Sequence, residues 1–206
     1  MKNKKITSLL VAGALTVGIV GGTLAWLTAS DTVTNKFDTK VGENKVAVEI
    51  YENFNQEAAK GLQPGITVKK LVQVQNPASI DQFIRVKLTL TDGTSNKVTM
   101  NLTENSNWVD GGDGYYYYKA KVGAGNFTKA ILDSVTFSSK ATQADMEKDF
   151  NVKVDADSIQ ASNDAIDSWK NENNATIIAE LKALQAGNAE SNPGNAGNTV
   201  ATPVQP

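Results

Sequence analysis

The side chains that carry out most protein chemistry are scarce in this sequence. It contains no histidine and no cysteine. Their absence excludes the Ser–His–Asp triad, the Cys–His pair and the HExxH zinc helix together. An enzyme would have to use a carboxylate pair or a Ser–Lys arrangement, and no spacing marks any two of the 22 acidic residues as such a pair. We therefore expect a protein that is not an enzyme, with no catalytic residue and no cofactor.

One acidic cluster is the best candidate for a metal site. Asp110 and Asp113 lie in the segment Asp-Gly-Gly-Asp-Gly. A calcium ion takes about six to eight oxygen ligands, and an EF-hand loop supplies them at a longer, regular spacing. Two carboxylates among three glycines favour a tight hairpin turn instead, so we predict no metal ligands. Whether Asp110 and Asp113 hold an ion stays open at this point.

A run of four tyrosines, 115–118, follows that cluster. Aromatic rings can stack on sugars or nucleic acids, but a nucleic-acid platform normally lies in a basic groove. Only Lys119 and Lys121 are close in sequence. The run is strand-favouring, and we expect it to pack within a sheet or to form a subunit contact.

The first 25 residues have the pattern of a cleavable secretory signal peptide. Three lysines within the first five residues precede the apolar run 6–20, and Gly21 and Gly22 follow it. Small residues then place the cleavage site between Ala25 and Trp26. The alternative is a membrane anchor, but about 20 apolar residues are needed to span a bilayer. We expect cleavage, export from the cell and no membrane span afterwards.

The remaining chain divides into three parts by composition. Residues 26–37 are extended in character, 38–186 read as a β-sandwich domain with peripheral helices, and 187–206 read as a flexible, low-complexity tail. Loss of the signal peptide removes three of the 20 basic residues, which leaves 17 against 22 acidic ones, a net charge of −5. A mildly acidic chain argues against a nucleic-acid partner.

Alternating apolar and polar residues predict that the domain is mainly β. The period of two is clearest over Phe83–Thr91 and recurs over Thr67–Gln75. Further strands are predicted at 46–50, 115–122, 135–138 and 150–154, the last continuing toward residue 161. Short helices are predicted at 142–150 and 164–171, with a third on the stripe of Ile177, Ile178, Leu181 and Leu184. Strands separated by turns without strand–helix alternation favour an antiparallel jelly-roll or Ig-like sandwich.

Several segments resemble one family of exported proteins. The junction Gly21-Gly-Thr-Leu-Ala-Trp-Leu-Thr leads to Asn35-Lys-Phe, and within the domain stand Leu62-Gln-Pro-Gly, Val74-Gln-Asn-Pro-Ala-Ser-Ile-Asp-Gln-Phe-Ile-Arg-Val, Asp113-Gly-Tyr-Tyr-Tyr-Tyr-Lys and Ile159-Gln-Ala. Together they resemble the TasA/camelysin family of Gram-positive bacteria, whose members are exported through a SipW-type signal peptidase. The likeness extends from residue 1 to about 170 and does not include the last helix or the tail.

The resemblance implies a secreted or cell-surface biofilm-matrix fibre subunit that polymerises with itself. In such fibres the N-terminal segment of one subunit adds as a strand to its neighbour, by donor-strand complementation. The corresponding donor residues here are Trp26, Leu27, Ala29, Val33 and Phe37, with Asp31 and Asn35 interrupting their face. Strand addition draws affinity from main-chain hydrogen bonds, and an open head-to-tail contact generates a filament.

Two other functions remain as alternatives. Camelysin is described as a surface metalloprotease, although zinc normally takes histidine or cysteine ligands, which this chain lacks. A monomeric surface adhesin or binding module would instead use the face that carries Tyr117 as its contact.

Overall fold

The computed structural model describes residues 28–32, 46–55, 59, 62–91 and 95–191. Within these ranges the chain forms two antiparallel sheets and a few short helices. The predicted antiparallel β-sandwich is therefore confirmed.

The larger sheet, sheet A, has five strands in the spatial order β1, β9, β4, β7, β6. These strands are β1 (Thr28–Thr32), β9 (Asn151–Gln160), β4 (Gln82–Thr91), β7 (Tyr116–Tyr118) and β6 (Trp108–Asp110). The smaller sheet, sheet B, has the order β2, β3, β8, β5. Its strands are β2 (Glu49–Phe54), β3 (Thr67–Gln75), β8 (Leu132–Phe137) and β5 (Val98–Leu102).

The main core lies between the two sheets because each contributes one apolar face. On β4 the alternate residues Ile84 and Val86 are fully buried, and on β3 the corresponding residues are Val72 and Val74. Side chains of a strand alternate between its two faces, so the period of two in the sequence becomes one buried layer.

A second core covers the outer face of sheet A. The other alternate residues of the sheet include Phe83, Tyr117 and Ile159, all completely buried. They pack against a 3₁₀ helix, Ala165–Trp169, and the helix α2, Ala175–Ala183. The sequence predicts β4 as a half-buried strand with its charged face in solvent. Part of that expectation is wrong, because the 3₁₀ helix and α2 bury the outer face of sheet A at Phe83.

Most predicted elements are present, with shifted ends. Strand β3 has the predicted bounds, β4 begins one residue earlier than predicted, and the short helix α1 occupies Gln143–Met146. Strands β5 and β6 are not among the predicted elements, although Val98–Leu102 alternates apolar and polar residues; β6 has only three residues.

The predicted tail, 187–206, lies mostly outside the described residues. Its first five residues are described, and Glu190 pairs as a parallel bridge with Val122. The described chain therefore continues past α2 to Ser191.

Candidate functional site

Strand β1 lies at the edge of sheet A and comes from inside the predicted donor segment. It pairs antiparallel with β9 over five residues, Thr28 opposite Ile159 through to Thr32 opposite Asp155. In the described part of the chain its second side has no strand partner. The contact is therefore a backbone ladder to one neighbour, which is the geometry of an added strand.

Of the predicted donor residues, only Ala29 lies within the described ranges, where it stands opposite Ser158. The others, Trp26, Leu27, Val33 and Phe37, fall outside the described residues, as does the predicted cleavage site at Ala25 and Trp26. The structure thus places the middle of the predicted segment on β9 and leaves its ends undescribed.

Strand β9 is the neighbour of β1, and the rest of the domain holds it firmly. It pairs with β4 over all ten of its residues, from Gln82 opposite Gln160 to Thr91 opposite Asn151. Its alternate residues Val154, Ala156 and Ser158 are buried on the side of the main core. Strand β9 is therefore held in sheet A by β4 as well as by β1.

The other face of β9 is acidic. Asp155 forms an ion pair with Lys153 at 2.9 Å, and Asp157 forms one with Arg85 on β4 at 3.0 Å. The sequence predicts β9 but does not identify it as the neighbour of residues 28–32. Its alternation is visible in the sequence, whereas pairing with residues more than 120 positions away is not.

Arg85 fixes Asp157 from the side remote from β1. Its guanidinium lies 4.0 Å from the ring centroid of Tyr115 and 4.5 Å from that of Trp169. Its Nε donates to Asp157 Oδ2 at 3.0 Å. Stacking between two rings with a carboxylate partner restricts arginine strongly, so the pair is a rigid feature of the outer face.

The tyrosine run is mainly structural. Tyr117 and Tyr118 are completely buried, and Tyr115 and Tyr116 are partly covered. Burial raises the pKa of Tyr117, with its hydrogen bond to Asp113 acting in the same direction. The Tyr117 side chain is therefore not exposed, and the expectation that the run packs within the sheet is correct.

Asp113 belongs to a hydrogen-bonded network in the described structure. Its Oδ2 accepts hydrogen bonds from the Tyr117 hydroxyl at 2.8 Å and from the side-chain amides of Asn174 at 2.9 Å and Asn171 at 3.1 Å. Burial alone would raise the pKa of Asp113, but these bonds and one from the Tyr115 backbone N–H together lower it. The turn carboxylate thus anchors the start of α2 to β7.

Asp110 has a local role in the same turn, where its Oδ1 accepts a hydrogen bond from the backbone N–H of Gly112 at 2.8 Å. This is an Asx-type turn, as the sequence Asp-Gly-Gly-Asp-Gly favours. Among the described residues, no group of three or more aspartates and glutamates lies close enough to hold a metal ion.

Glu190 ties the end of the described chain to the sheet. Its carboxylate accepts hydrogen bonds from the Tyr118 hydroxyl at 2.5 Å and from the Asn107 side chain at 3.0 Å. Sequence reasoning missed this residue because a lone glutamate in a polar, Gly- and Asn-rich segment carries no signal of burial.

Within the described ranges, no helix has the length and apolar character needed to cross a membrane. Comparison with known protein families, curated proteins and solved structures finds no match to this chain.

Proposed function

We propose that this chain is a secreted structural protein, the subunit of an extracellular biofilm-matrix fibre. In this proposal the segment 26–37 of one copy pairs with β9 of the next, and repetition of that contact builds the fibre head-to-tail. The protein is located in the matrix or at the cell surface, its lasting partner is itself, and a SipW-type signal peptidase frees residue 26 during export. The resemblance to the TasA/camelysin family supports the same function.

The observation that carries the proposal is the position of β1. A strand taken from the predicted donor segment occupies a sheet edge and contacts that sheet through β9. The same ladder can be supplied by a second copy, because it depends on main-chain groups that every copy presents. A strand that leaves its own domain for an identical site in a neighbour converts a monomer into an open chain of subunits.

Removal of the segment tests the proposal directly. Purified protein that begins at Trp26 should elongate into filaments under negative-stain electron microscopy, and protein that begins at Asp38 should remain monomeric. Filaments formed equally by both proteins would contradict assembly through this segment. A synthetic peptide of residues 26–37 should cap the acceptor edge and stop elongation of the longer protein.

A backbone variant separates strand pairing from side-chain effects. Adjacent N–H groups of a strand point to opposite sides, so proline at both Ala29 and Ser30 must remove one hydrogen bond to β9. Ala29→Pro/Ser30→Pro should abolish filaments, whereas the matched control Ala29→Ser/Ser30→Ala should retain them. Casein degradation that a chelator abolishes would instead favour the protease alternative.

A further inference from the structure

Strand β5 is an end strand of sheet B and contains no charged residue. Four strands stand at the ends of the two described sheets, namely β1, β6, β2 and β5. Three of them contain acidic residues, which are Asp31 in β1, Asp110 in β6, and Glu49 and Glu52 in β2. Charged side chains on an edge strand are one of the ways in which proteins prevent edge-to-edge association. The sequence of β5, Val-Thr-Met-Asn-Leu, leaves its edge without that protection.

The opposite end strand of sheet B, β2, carries an inward-pointing charge. Glu52 stands opposite Val72 and shares its core-facing side, where the carboxylate pairs with the Lys70 ammonium at 2.7 Å. The two side chains of this pair are only 8 % and 9 % exposed. An inward-pointing charge on an edge strand also disfavours pairing with a foreign strand. The two ends of sheet B therefore differ, and β5 is the end that is suited to accept another strand.

The backbone groups of β5 that face the open edge belong to alternate residues. The Lys97 carbonyl accepts at 2.7 Å from the backbone N–H that follows β8, and the Thr103 N–H donates at 2.9 Å to the carbonyl that precedes β8. Hydrogen-bonding groups of successive residues in an antiparallel strand point to opposite sides. Those of Val98, Met100 and Leu102 therefore point away from β8, to a side on which the described chain places no strand.

These outward-pointing groups are self-complementary in an antiparallel arrangement. About a two-fold axis at Met100, Val98 of one copy stands opposite Leu102 of the other, and Met100 stands opposite its own counterpart. Each of these is a hydrogen-bonded pair, in which two opposed residues exchange both of their N–H···O=C bonds. This register uses the outward N–H and C=O groups of all three residues in both copies.

The side chains of β5 match in the same register. On the core side Val98 is buried, whereas Leu102 is 40 % exposed and would be covered by Val98 of the other copy. On the outer side Thr99 stands opposite Asn101. The Asn101 amide nitrogen already donates to two hydroxyl groups of β8, at 2.8 and 3.1 Å. Its oxygen is an acceptor that suits the Thr99 hydroxyl of a second copy.

We propose that β5 is a contact surface for a second copy of this chain, which pairs with it antiparallel about a two-fold axis at Met100. Sheet B of one copy then continues into sheet B of the other. The contact goes beyond the proposed fibre function and does not depend on it, because β5 and β9 belong to different sheets. A five-residue ladder is small beside the total of about 1,200–2,000 Å² that stable complexes bury. A dilute subunit therefore stays monomeric, and pairing appears at high concentration or between subunits held in rows.

Engineered disulfides test both the contact and its register, since the chain has no cysteine of its own. Mature chain with Thr99→Cys is mixed at high concentration with mature chain that carries Asn101→Cys and a size tag. The mixed disulfide should exceed either same-variant disulfide by about fivefold or more, because two copies of residue 99 are displaced by about 7 Å along the strands, too far for a disulfide. The control partner for Thr99→Cys is Asn53→Cys, an exposed position on β2, which should give little mixed product.

Lysine substitutions test the same register without cysteine. Thr99→Lys/Asn101→Lys sets lysine opposite lysine at both outer pairs, where like charges are destabilising. The background is the mature chain with Ala29→Pro/Ser30→Pro, which lacks the proposed fibre contact. Its average mass in sedimentation velocity should rise with concentration. Addition of Thr99→Lys/Asn101→Lys should hold the mass at that of the monomer, and the uncharged control Thr99→Ser/Asn101→Ser should keep the rise.

Equal yields of mixed and same-variant disulfides, or no cross-linking in any mixture, would overturn the proposal. Preferential cross-linking to Asn53→Cys would also overturn it and identify β2 of another copy as the strand that β5 accepts. A mass that stays monomeric in the background chain, or that rises equally with the lysines present, would count against it in the same way. If the unchanged mature chain forms no filaments and the mixed disulfide still predominates, the fibre proposal fails and the β5 contact stands.

Discussion

Replacement of the buried Asn174 by alanine should destabilise the domain. The side chain is 1 % exposed, and its amide nitrogen donates to Asp113, to the Tyr117 hydroxyl and to the Trp169 carbonyl at 2.8–2.9 Å. Its oxygen accepts from the Asn171 backbone N–H at 2.7 Å. Alanine leaves the Trp169 carbonyl without this donor and weakens the other contacts.

The expected loss is about 2–4 kcal/mol, from about 1–3 kcal/mol for one orphaned buried group and about 1 kcal/mol for the weakened bonds. With a urea m-value of about 2 kcal/mol/M, the unfolding midpoint should fall by about 1–2 M at constant m. The matched control is Asn173→Ala, one residue earlier and exposed. Equal free energies of unfolding for the two variants, within about 0.5 kcal/mol, would refute the assignment of Asn174 as the anchor of α2.

The pH dependence gives a second, independent test of the same network. Asp113 has a lowered pKa in the folded protein, so its contribution is present above the unfolded pKa of about 4 and is lost as the pH falls through the folded value. Asn174→Asp places a second carboxyl beside Asp113. Repulsion between the two carboxylates raises the pKa of one of them. That variant should be least stable relative to wild type near pH 7 and should regain stability as the pH falls toward 4.

Three further substitutions test other contacts by urea unfolding. Gly111→Ala would place a Cβ 2.3 Å from the buried ring of Tyr117 and should cost about 1–3 kcal/mol; a wild-type midpoint would show that the ring moves freely. Lys70→Met leaves Glu52 buried without its 2.7 Å partner and should cost about 3–5 kcal/mol, most of which Lys70→Met/Glu52→Leu should restore. Tyr118→Phe removes the hydrogen bond to the carboxylate that follows α2 and should cost about 1.5–3 kcal/mol, and no loss would show that this contact is dispensable.

The sheets could be predicted because their information is local. The alternation in Thr67–Gln75 and Phe83–Thr91 reports a strand without reference to any partner. The second core could not be predicted in the same way. Phe83 and Tyr117 alternate as solvent-facing positions would, and only α2, which follows much later in the chain, makes those positions interior.

The candidate site shows the same difference between local information and contacts that are distant in sequence. Residues 26–37 stand out in the sequence through the resemblance and through their extended character. The position of β9 beside β1 is a property of the assembled sheet, in which β4 occupies the other edge of β9. Asp113 shows the opposite case, since a cluster that suggests a cation site in sequence is used to hold three hydrogen-bond donors in the fold.

If a neighbouring copy supplies the strand, polymerisation is a competition in which the chain's own β1 and the β1 of a neighbour pair with the same strand, β9. The core residues of the described structure lie between Val48 and Leu181, so exchange of β1 leaves both cores in place. The two states then differ mainly in whether the strand beside β9 belongs to the same chain or to another copy. A strand held in the same chain as its partner competes at an effective concentration, which is on the order of millimolar for a short flexible linker. A dilute subunit therefore favours its own strand, and a crowded matrix surface, where local concentration approaches that value, favours the strand of a neighbour.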